Sequence, residues 1–302
     1  MRLLRMLGYG VFFLLSFVFF LYLLFPYNLI KERVIAAVQQ QLGAQTEVTV
    51  ESFKPYRFSG LSLKGLDVRV LDAAGPKQLL KITECYGRVS LFSLLLGRPN
   101  VNFTVKTGKG ELSGTYAQGS TSDELTLDLS SVDLASFPFL AQSLSVPLSS
   151  QIDGEISIDL DKQRWTRSSG KIDLDFLGLS IAETTLSFQG EPFVLPQLTL
   201  AKGRKSGVQA TLNKGVLSLD ALRFDGGDLT LQLAGKVLLS DQTADSRMNL
   251  MGSFSTTDKF NRALPFLFLV EKQKQPDGTY PLALSGRVAH PNVKVGNFTL
   301  PL

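Results

Sequence analysis

Apolar and polar residues alternate along most of the chain after residue 45. In residues 151–160 every second residue is apolar or glycine, and the residues between them are Gln, Asp, Glu and Ser. Residues 61–70 show a similar alternation, with Gly65 within it. Successive side chains of a β-strand point to opposite faces, so a period of two predicts strands with one apolar and one polar face.

Comparable segments follow one another with turn residues between them. They lie at residues 48–50, 110–116, 125–129, 170–176, 184–188, 215–219, 228–233, 248–254 and 281–288. Many short strands in succession predict a mainly β protein with a large antiparallel sheet, rather than an α/β fold. The apolar side of such a sheet faces a closed core or an open groove, and periodicity does not distinguish the two.

Three segments break the alternation and predict short helices that cover the sheet. They are residues 90–96, 136–144 and 256–271. In the third, Thr257 is a candidate N-cap and Pro265 a candidate kink. Its residues Phe266, Leu267 and Phe268 form a dense apolar run, which we interpret as a candidate contact with a membrane or a partner protein.

The start of the chain has a different pattern, because residues 6–30 contain no charged residue. A helix of that length reaches roughly 37 Å, and the hydrocarbon core of a bilayer is about 30 Å thick. The run ends in Phe-Pro-Tyr-Asn rather than in a small-residue cleavage site, which favours an uncleaved anchor. The predicted anchor residues are Leu7, Val11, Leu14, Val18, Leu21 and Leu24.

We therefore predict three parts: a transmembrane signal anchor at residues 1–30, an amphipathic linker helix at 31–45, and a β-rich domain at 46–302. Lysines and arginines are balanced on the two sides of the apolar run, with Arg2 and Arg5 before it and Lys31 and Arg33 after it. The α-amino group and the single long tail favour an N-terminus inside and the β-rich domain on the far side of the membrane.

Composition excludes several classes of function. The 302 residues carry a formal net charge of +4, and their basic residues are scattered, so we do not expect a nucleic-acid partner. Cys85 is the single cysteine and His290 the single histidine, which leaves too few residues for an intrachain disulfide, a Cys/His zinc site or a His-dependent triad. We expect Cys85 to be a small buried apolar residue.

The acidic residues also have a structural explanation. The pairs Asp153/Glu155, Asp159/Asp161 and Asp173/Asp175 are each two residues apart, which places both carboxyl groups on the polar face of a strand. Residues 225–228, Asp-Gly-Gly-Asp, match a hairpin turn and have too few oxygen ligands for calcium. We predict no catalytic residue, no metal site and no cofactor, and hence a protein that is not an enzyme.

Several segments resemble a known family. Phe25-Pro26-Tyr27 at the end of the apolar run, together with residues 60–66, 224–237 and 277–291, resembles the type II secretion system protein N family. This resemblance implies a single-pass protein of the bacterial inner membrane, with a cytoplasmic N-terminus and a periplasmic body. It also implies a structural or accessory role, exerted by binding other type II secretion subunits.

Residues 89–101 are similar to a short linker of AsmA-like envelope proteins, in which a strand runs into a brief helix and returns to the sheet. This second resemblance implies a curved sheet or a sandwich. It also implies an alternative function, lipid binding or lipid transfer in the cell envelope, with phospholipid as a partner.

Overall fold

The computed structural model shows a mainly β protein. It describes residues 12, 13, 16, 32, 35, 36, 39, 40, 46–57, 59–72, 75–137, 147–188, 191–203, 205–263 and 265–300. The predicted anchor residues Leu7, Val11, Leu14, Val18, Leu21 and Leu24 lie outside this set. No helix in the described part of the chain is both long and apolar enough to cross a membrane.

Eighteen strands make up the described part of the fold. They are β1 (Thr46–Tyr56), β2 (Gly60–Asp72), β3 (Gly75–Val89), β4 (Asn100–Thr107), β5 (Gly110–Gln118), β6 (Ser122–Asp133), β7 (Leu148–Asp161), β8 (Ser169–Ile181), β9 (Thr184–Phe188), β10 (Glu191–Leu195), β11 (Leu198–Thr199), β12 (Gly207–Asn213), β13 (Val216–Phe224), β14 (Leu229–Leu238), β15 (Arg247–Thr256), β16 (Tyr280–Arg287), β17 (His290–Val295) and β18 (Phe298–Leu300). The prediction of a large antiparallel sheet is confirmed.

The main sheet has sixteen strands and is nearly a simple meander. Each strand from β1 to β8 pairs antiparallel with the next, then β8 pairs with β12, and the meander continues to β18. Between β8 and β12 the chain leaves the sheet, forms the separate hairpin β9–β10, and returns with β11 against β8. One sheet therefore contains strands from the whole described body.

Because the strands alternate in direction, all connections lie at one of two ends of the sheet. The end at which β1 begins, here called the covered end, has the longer connections β6–β7, β8–β12 and β15–β16. The opposite end, here called the open end, has short turns and the longer connections β3–β4, β7–β8 and β14–β15.

The helices are short and lie in these connections. Helix α1 (Leu91–Leu95) joins β3 to β4, as predicted. In the β15–β16 connection, helix α2 (Asp258–Ala263) is followed by a 3-10 helix (Pro265–Gln273), where we had predicted one kinked helix. The Phe260 N–H donates to Thr257 Oγ1 at 3.4 Å, consistent with the predicted N-cap. Further 3-10 turns are Leu134–Ser136, Trp165–Arg167 and Thr243–Asp245.

Sequence alternation did not reveal every strand. In β3 the alternation is broken, because its pairing with β2 shifts between Val68 and Arg69. A bulge of this kind adds a residue to one strand and so interrupts a period of two. Strands β4 and β12 alternate cleanly and were nevertheless not predicted.

Candidate functional site: the apolar face of the sheet

The register of the sheet gathers the apolar side chains of many strands on one face. Residues directly opposite each other in an antiparallel pair lie on the same face. Leu127 is opposite Gly114 on one side and Ile156 on the other, and Ile156 is opposite Ile172. The same row continues through Ala210, Leu219, Gly235, Leu250, Leu284 and Val293. We call this surface the apolar face.

The opposite surface is polar in the same regular way. Thr126 is opposite Thr115 and Ser157, and Ser157 is opposite Lys171. The predicted carboxylate pairs lie there too, with Glu155 opposite Asp173. Among other acidic contacts, the Ser131 N–H donates to the Asp153 carboxylate at 2.6 Å. The side chains that alternate along each strand therefore separate into two continuous surfaces.

Both surfaces reach solvent over β6, β7 and β8, whereas Ala210 and Leu250 of the same apolar row are buried. Leu127, Ile156 and Ile172 of the apolar face are partly exposed, as are Thr126 and Ser157 of the polar face. Core side chains of a closed sandwich would be covered by the facing sheet. In the described part of the chain, no second layer of that size covers the middle of the apolar face.

Glycines replace larger residues at several positions on the apolar face. At Gly114 a Cβ atom would lie 2.7 Å from the Phe103 ring and 2.8 Å from a Leu127 methyl group. At Gly154, opposite Leu129, φ is +141° and a Cβ atom would lie 2.1 Å from the Asp173 carbonyl oxygen. The apolar face is therefore crowded at these positions although it is open to solvent.

The covered end is where the apolar face is closed off. A first cluster is built mainly from the β8–β12 excursion and from α2. Its buried members are Leu179, Leu195, Leu198, Leu200, Ala201 and Phe260. A second cluster joins Val270 of the 3-10 helix to Tyr280 and Val295. The Phe254 and Tyr280 rings stack beside it, 5.1 Å apart.

Asp228 ties the elements of the covered end together. Its carboxylate accepts from the Thr199 N–H at 2.9 Å, from Lys259 Nζ at 3.3 Å and from Thr257 Oγ1 at 3.3 Å. Burial by itself would raise the pKa of Asp228, but the Thr199 N–H and the Lys259 ammonium group outweigh it and hold that pKa below its ordinary value. This charged carboxylate joins β11 to the turn before β14 and to the start of α2.

Sequence analysis treated residues 225–228 as a turn and missed this role. Asp225 and Asp228 flank the same two glycines, but only the Asp228 carboxylate binds the Thr199 N–H and Lys259. Nothing in the local pattern distinguishes the two carboxyl groups.

The predicted apolar run Phe266, Leu267 and Phe268 lies within the 3-10 helix. Leu267 is partly buried and packs against both clusters of the covered end. The structure describes the backbone of Phe266 and Phe268 but not their side chains, so the proposed contact with a membrane or a partner stays a prediction.

The remaining candidate chemistry is spread out over the described residues. Cys85 lies on the apolar face opposite Leu63 and Val105, and it is half-buried rather than buried as predicted. Burial raises the pKa of its thiol, so it is less reactive than a free cysteine. His290 is exposed at the β16–β17 turn. No group of three or more His, Cys, Asp or Glu suited to a metal ion occurs in the described part.

The polar face has a notable charge cluster and several depressions. Glu84 lies 2.9 Å from Lys64 and 3.7 Å from Lys106, and it accepts a hydrogen bond from Tyr86. The Tyr86 hydroxyl and Lys64 lower the pKa of Glu84, so it stays a carboxylate. A depression of about 530 Å³ is lined mostly by polar residues, among them Glu124, Asp159 and Lys171. Neither arrangement provides an apolar pocket with convergent polar groups.

Comparisons with known proteins add no further constraint. No family model, no curated protein and no solved structure matches this chain.

Proposed function

We propose that this protein is a membrane-anchored envelope protein that binds the acyl chains of lipids along the apolar face of its sheet. The observation that carries the proposal is the partial exposure of that face over β6, β7 and β8. Leu127, Ile156 and Ile172 form a continuous apolar row, yet no layer of the described chain covers them. A contiguous apolar row that reaches solvent is typical of a binding surface.

The dimensions of the apolar face suit an acyl chain. Strands are about 4.8 Å apart, so four neighbouring strands span roughly 15 Å. That is about half of a bilayer's hydrocarbon core of about 30 Å, and hence the reach of one acyl chain. Each methylene group that leaves water for the apolar face contributes about 0.8 kcal/mol. The face needs no specific polar group to hold such a ligand.

The glycines on the apolar face favour a sheet that bends toward it, as in the curved sheets that the AsmA-like resemblance implies. Side chains on the inner side of a bend crowd together, and glycine relieves that crowding. The contacts at Gly114 and Gly154 support this interpretation, because a Cβ atom at either position would collide with its neighbours. A bent apolar face would form a groove rather than a flat surface.

For the cellular setting, we propose the inner membrane and the type II secretion system, with the body in the periplasm. This rests on the resemblance of residues 60–66, 224–237 and 277–291, which the structure assigns mainly to β2, β14 and β16–β17. In the described chain β18 pairs only with β17, which leaves an edge to which a strand of another subunit could add. Loss of the protein should then reduce export of type II substrates, and unchanged export in a deletion strain would contradict this role.

We also propose that the protein acts by binding and not by catalysis. The described carboxylates with a lowered pKa are held charged by hydrogen bonds, from backbone N–H groups at Asp161 and from the Tyr86 hydroxyl and Lys64 at Glu84. They therefore have a structural role as charged acceptors. General acid–base chemistry near neutral pH needs carboxyl groups whose pKa is raised.

Site-specific photo-crosslinking in the full chain tests acyl-chain binding. A photoreactive amino acid replaces Leu127 on the apolar face or, as a matched control, its neighbour Thr126 on the polar face. Membranes from cells labelled with radioactive phosphate are irradiated, and the purified protein is analysed for attached phospholipid. We expect labelled lipid at position 127 and little at position 126.

Each result is decisive for this proposal. Lipid at both positions to the same extent would indicate contact with bulk lipid and would overturn it. Absence of lipid at position 127, with a crosslinked protein there instead, would also overturn it. That result would make the apolar face a docking surface for another subunit.

A further inference from the structure

A second exposed apolar surface lies at the open end of the sheet. It is formed by residues 92–98, here called the apical turn, in the connection between β3 and β4. Phe92 is 74% exposed and Leu95 is 86% exposed, and Leu94 and Leu96 are also exposed. The apical turn does not belong to the apolar face, and it does not pack against either cluster of the covered end.

The apical turn is held in place by backbone hydrogen bonds. The Arg98 N–H donates to the Ser93 carbonyl at 3.0 Å, and the Gly97 N–H donates to the Leu94 carbonyl at 3.0 Å. At its base, the Ser90 N–H donates to the Asn100 carbonyl at 2.9 Å. The chain thus keeps four large apolar side chains in water on an ordered support, at a cost in free energy that a binding partner would remove.

The charges near the apical turn are positive. Arg88 precedes it, Arg98 is its last residue, and Arg57 lies in the β1–β2 turn, which contacts its base through the Val89 N–H and the Ser59 carbonyl at 3.1 Å. All three arginines are exposed. In the described part of the chain, neither Arg88 nor Arg98 forms an ion pair. Exposed apolar residues beside arginines without an ion pair are complementary to a partner that has an apolar interior and an anionic surface.

We propose that the apical turn inserts into the headgroup region of an anionic lipid bilayer. Phe92, Leu95 and Leu96 would enter the boundary of the acyl chains, while Arg88 and Arg98 bind lipid phosphates. Surface-bound segments use this combination of apolar burial and attraction to anionic lipids. A protein partner would need acidic and apolar groups at matching positions, whereas an anionic bilayer supplies both everywhere.

The position of the apical turn makes this contact distinct from an anchor that precedes β1. Strand β3 has 15 residues, which at about 3.3 Å per residue spans roughly 50 Å. The chain enters the sheet at the covered end, and the apical turn lies at the other end of this span. The inference does not depend on acyl-chain binding by the apolar face.

Vesicle flotation tests the proposal. The full chain is reconstituted in phosphatidylcholine nanodiscs, so that its N-terminal segment is already in lipid. The nanodiscs are mixed with vesicles of phosphatidylcholine alone or of phosphatidylcholine with phosphatidylglycerol. We expect the nanodiscs to float with the phosphatidylglycerol vesicles and to remain unbound with phosphatidylcholine alone.

Variants separate the two parts of the surface. Phe92→Ser with Leu95→Ser should weaken vesicle binding about tenfold or more, because apolar burial is lost. Arg88→Gln with Arg98→Gln should weaken it about tenfold or more and remove most of its salt dependence. Leu238→Ser is the matched control, since Leu238 is an exposed leucine at the open end of β14, and it should bind like the unaltered protein.

Three outcomes would overturn the inference. They are absence of flotation with either type of vesicle, equal flotation with both, and flotation that neither double variant weakens. Each can occur whether or not lipid crosslinks at position 127, so the two proposals fail separately.

Discussion

The covered end and the open end are formed by the same strands, but large apolar side chains are buried at the covered end and exposed at the open end. At the covered end Leu198 is 1% exposed and Val270 is 2% exposed, because long connections fold back onto the sheet. At the open end Phe92 and Leu95 extend into solvent. The comparison teaches that the connections decide how far apolar side chains are buried at the two ends of the sheet.

The sharpest test of this comparison is a buried charge. Leu198→Asp places a carboxylate in the first cluster, where it has neither water nor a partner, and we expect it to prevent folding or to cost more than about 4 kcal/mol. Leu217→Asp is the matched variant, because Leu217 lies on the apolar face and is partly exposed. We expect it to cost less than half as much, as measured by thermal unfolding of the full chain in detergent.

Equal losses in the two variants would show that the apolar face is as closed as the first cluster. That result would remove the difference between the covered end and the middle of the sheet, and it would make acyl-chain binding untenable.

A smaller effect is expected at Asp228. Asp228→Asn keeps the shape but removes the charge that Lys259 and the Thr199 N–H bind, and we expect a loss of about 1–3 kcal/mol in the free energy of unfolding. Asp225→Asn is the control, because Asp225 is exposed in the same turn and should change stability by less than about 0.5 kcal/mol. Chemical denaturation of both variants provides the measurement.

The contribution of Asp228 should also depend on pH. Its pKa is lower in the folded than in the unfolded protein, so its stabilising effect is complete above the unfolded pKa of about 4. The effect is lost as the pH falls through the lower folded pKa. Unaltered protein and Asp228→Asn should therefore converge in stability in acid, and a constant difference down to the acid limit would contradict the assignment.

The smallest effect is expected in the apical turn. Leu95→Ser should change the free energy of unfolding by no more than about 0.5 kcal/mol, because Leu95 is 86% exposed. Thermal unfolding is again the measurement. A loss comparable to that of Asp228→Asn would mean that Leu95 supports the fold, and the open end would then resemble the covered end.

Sequence alternation predicted the strands and their two faces well, as at Ile156 and Ile158 of β7. It also placed α1 correctly, because Ser90 precedes and Gly97 follows a short apolar run. It did not predict the separation of α2 from the following 3-10 helix at Pro265, although it marked that residue as a candidate kink. The prediction of no active site rested partly on counts of cysteine and histidine, which do not depend on the fold, and partly on placing the carboxylate pairs on the polar face of strands.

The candidate site was less predictable than the strands. Alternation defined an apolar face, but a closed core and an open groove have the same period of two. Leu198 and Leu217 each lie in a short segment of apolar and polar residues, and their sequence contexts do not reveal that one is buried and the other partly exposed. Asp225 and Asp228 present the same difficulty in a single turn.

The sequence by itself therefore determined the mainly β fold, the division of side chains between two faces and the limits on chemistry. These properties are local, because the direction of a side chain in a strand depends only on its position along that strand. Only the tertiary structure decided which part of the apolar face is covered and which carboxylate joins the covering elements. Those properties depend on where distant connections pack, and that is set by contacts between residues far apart in the chain.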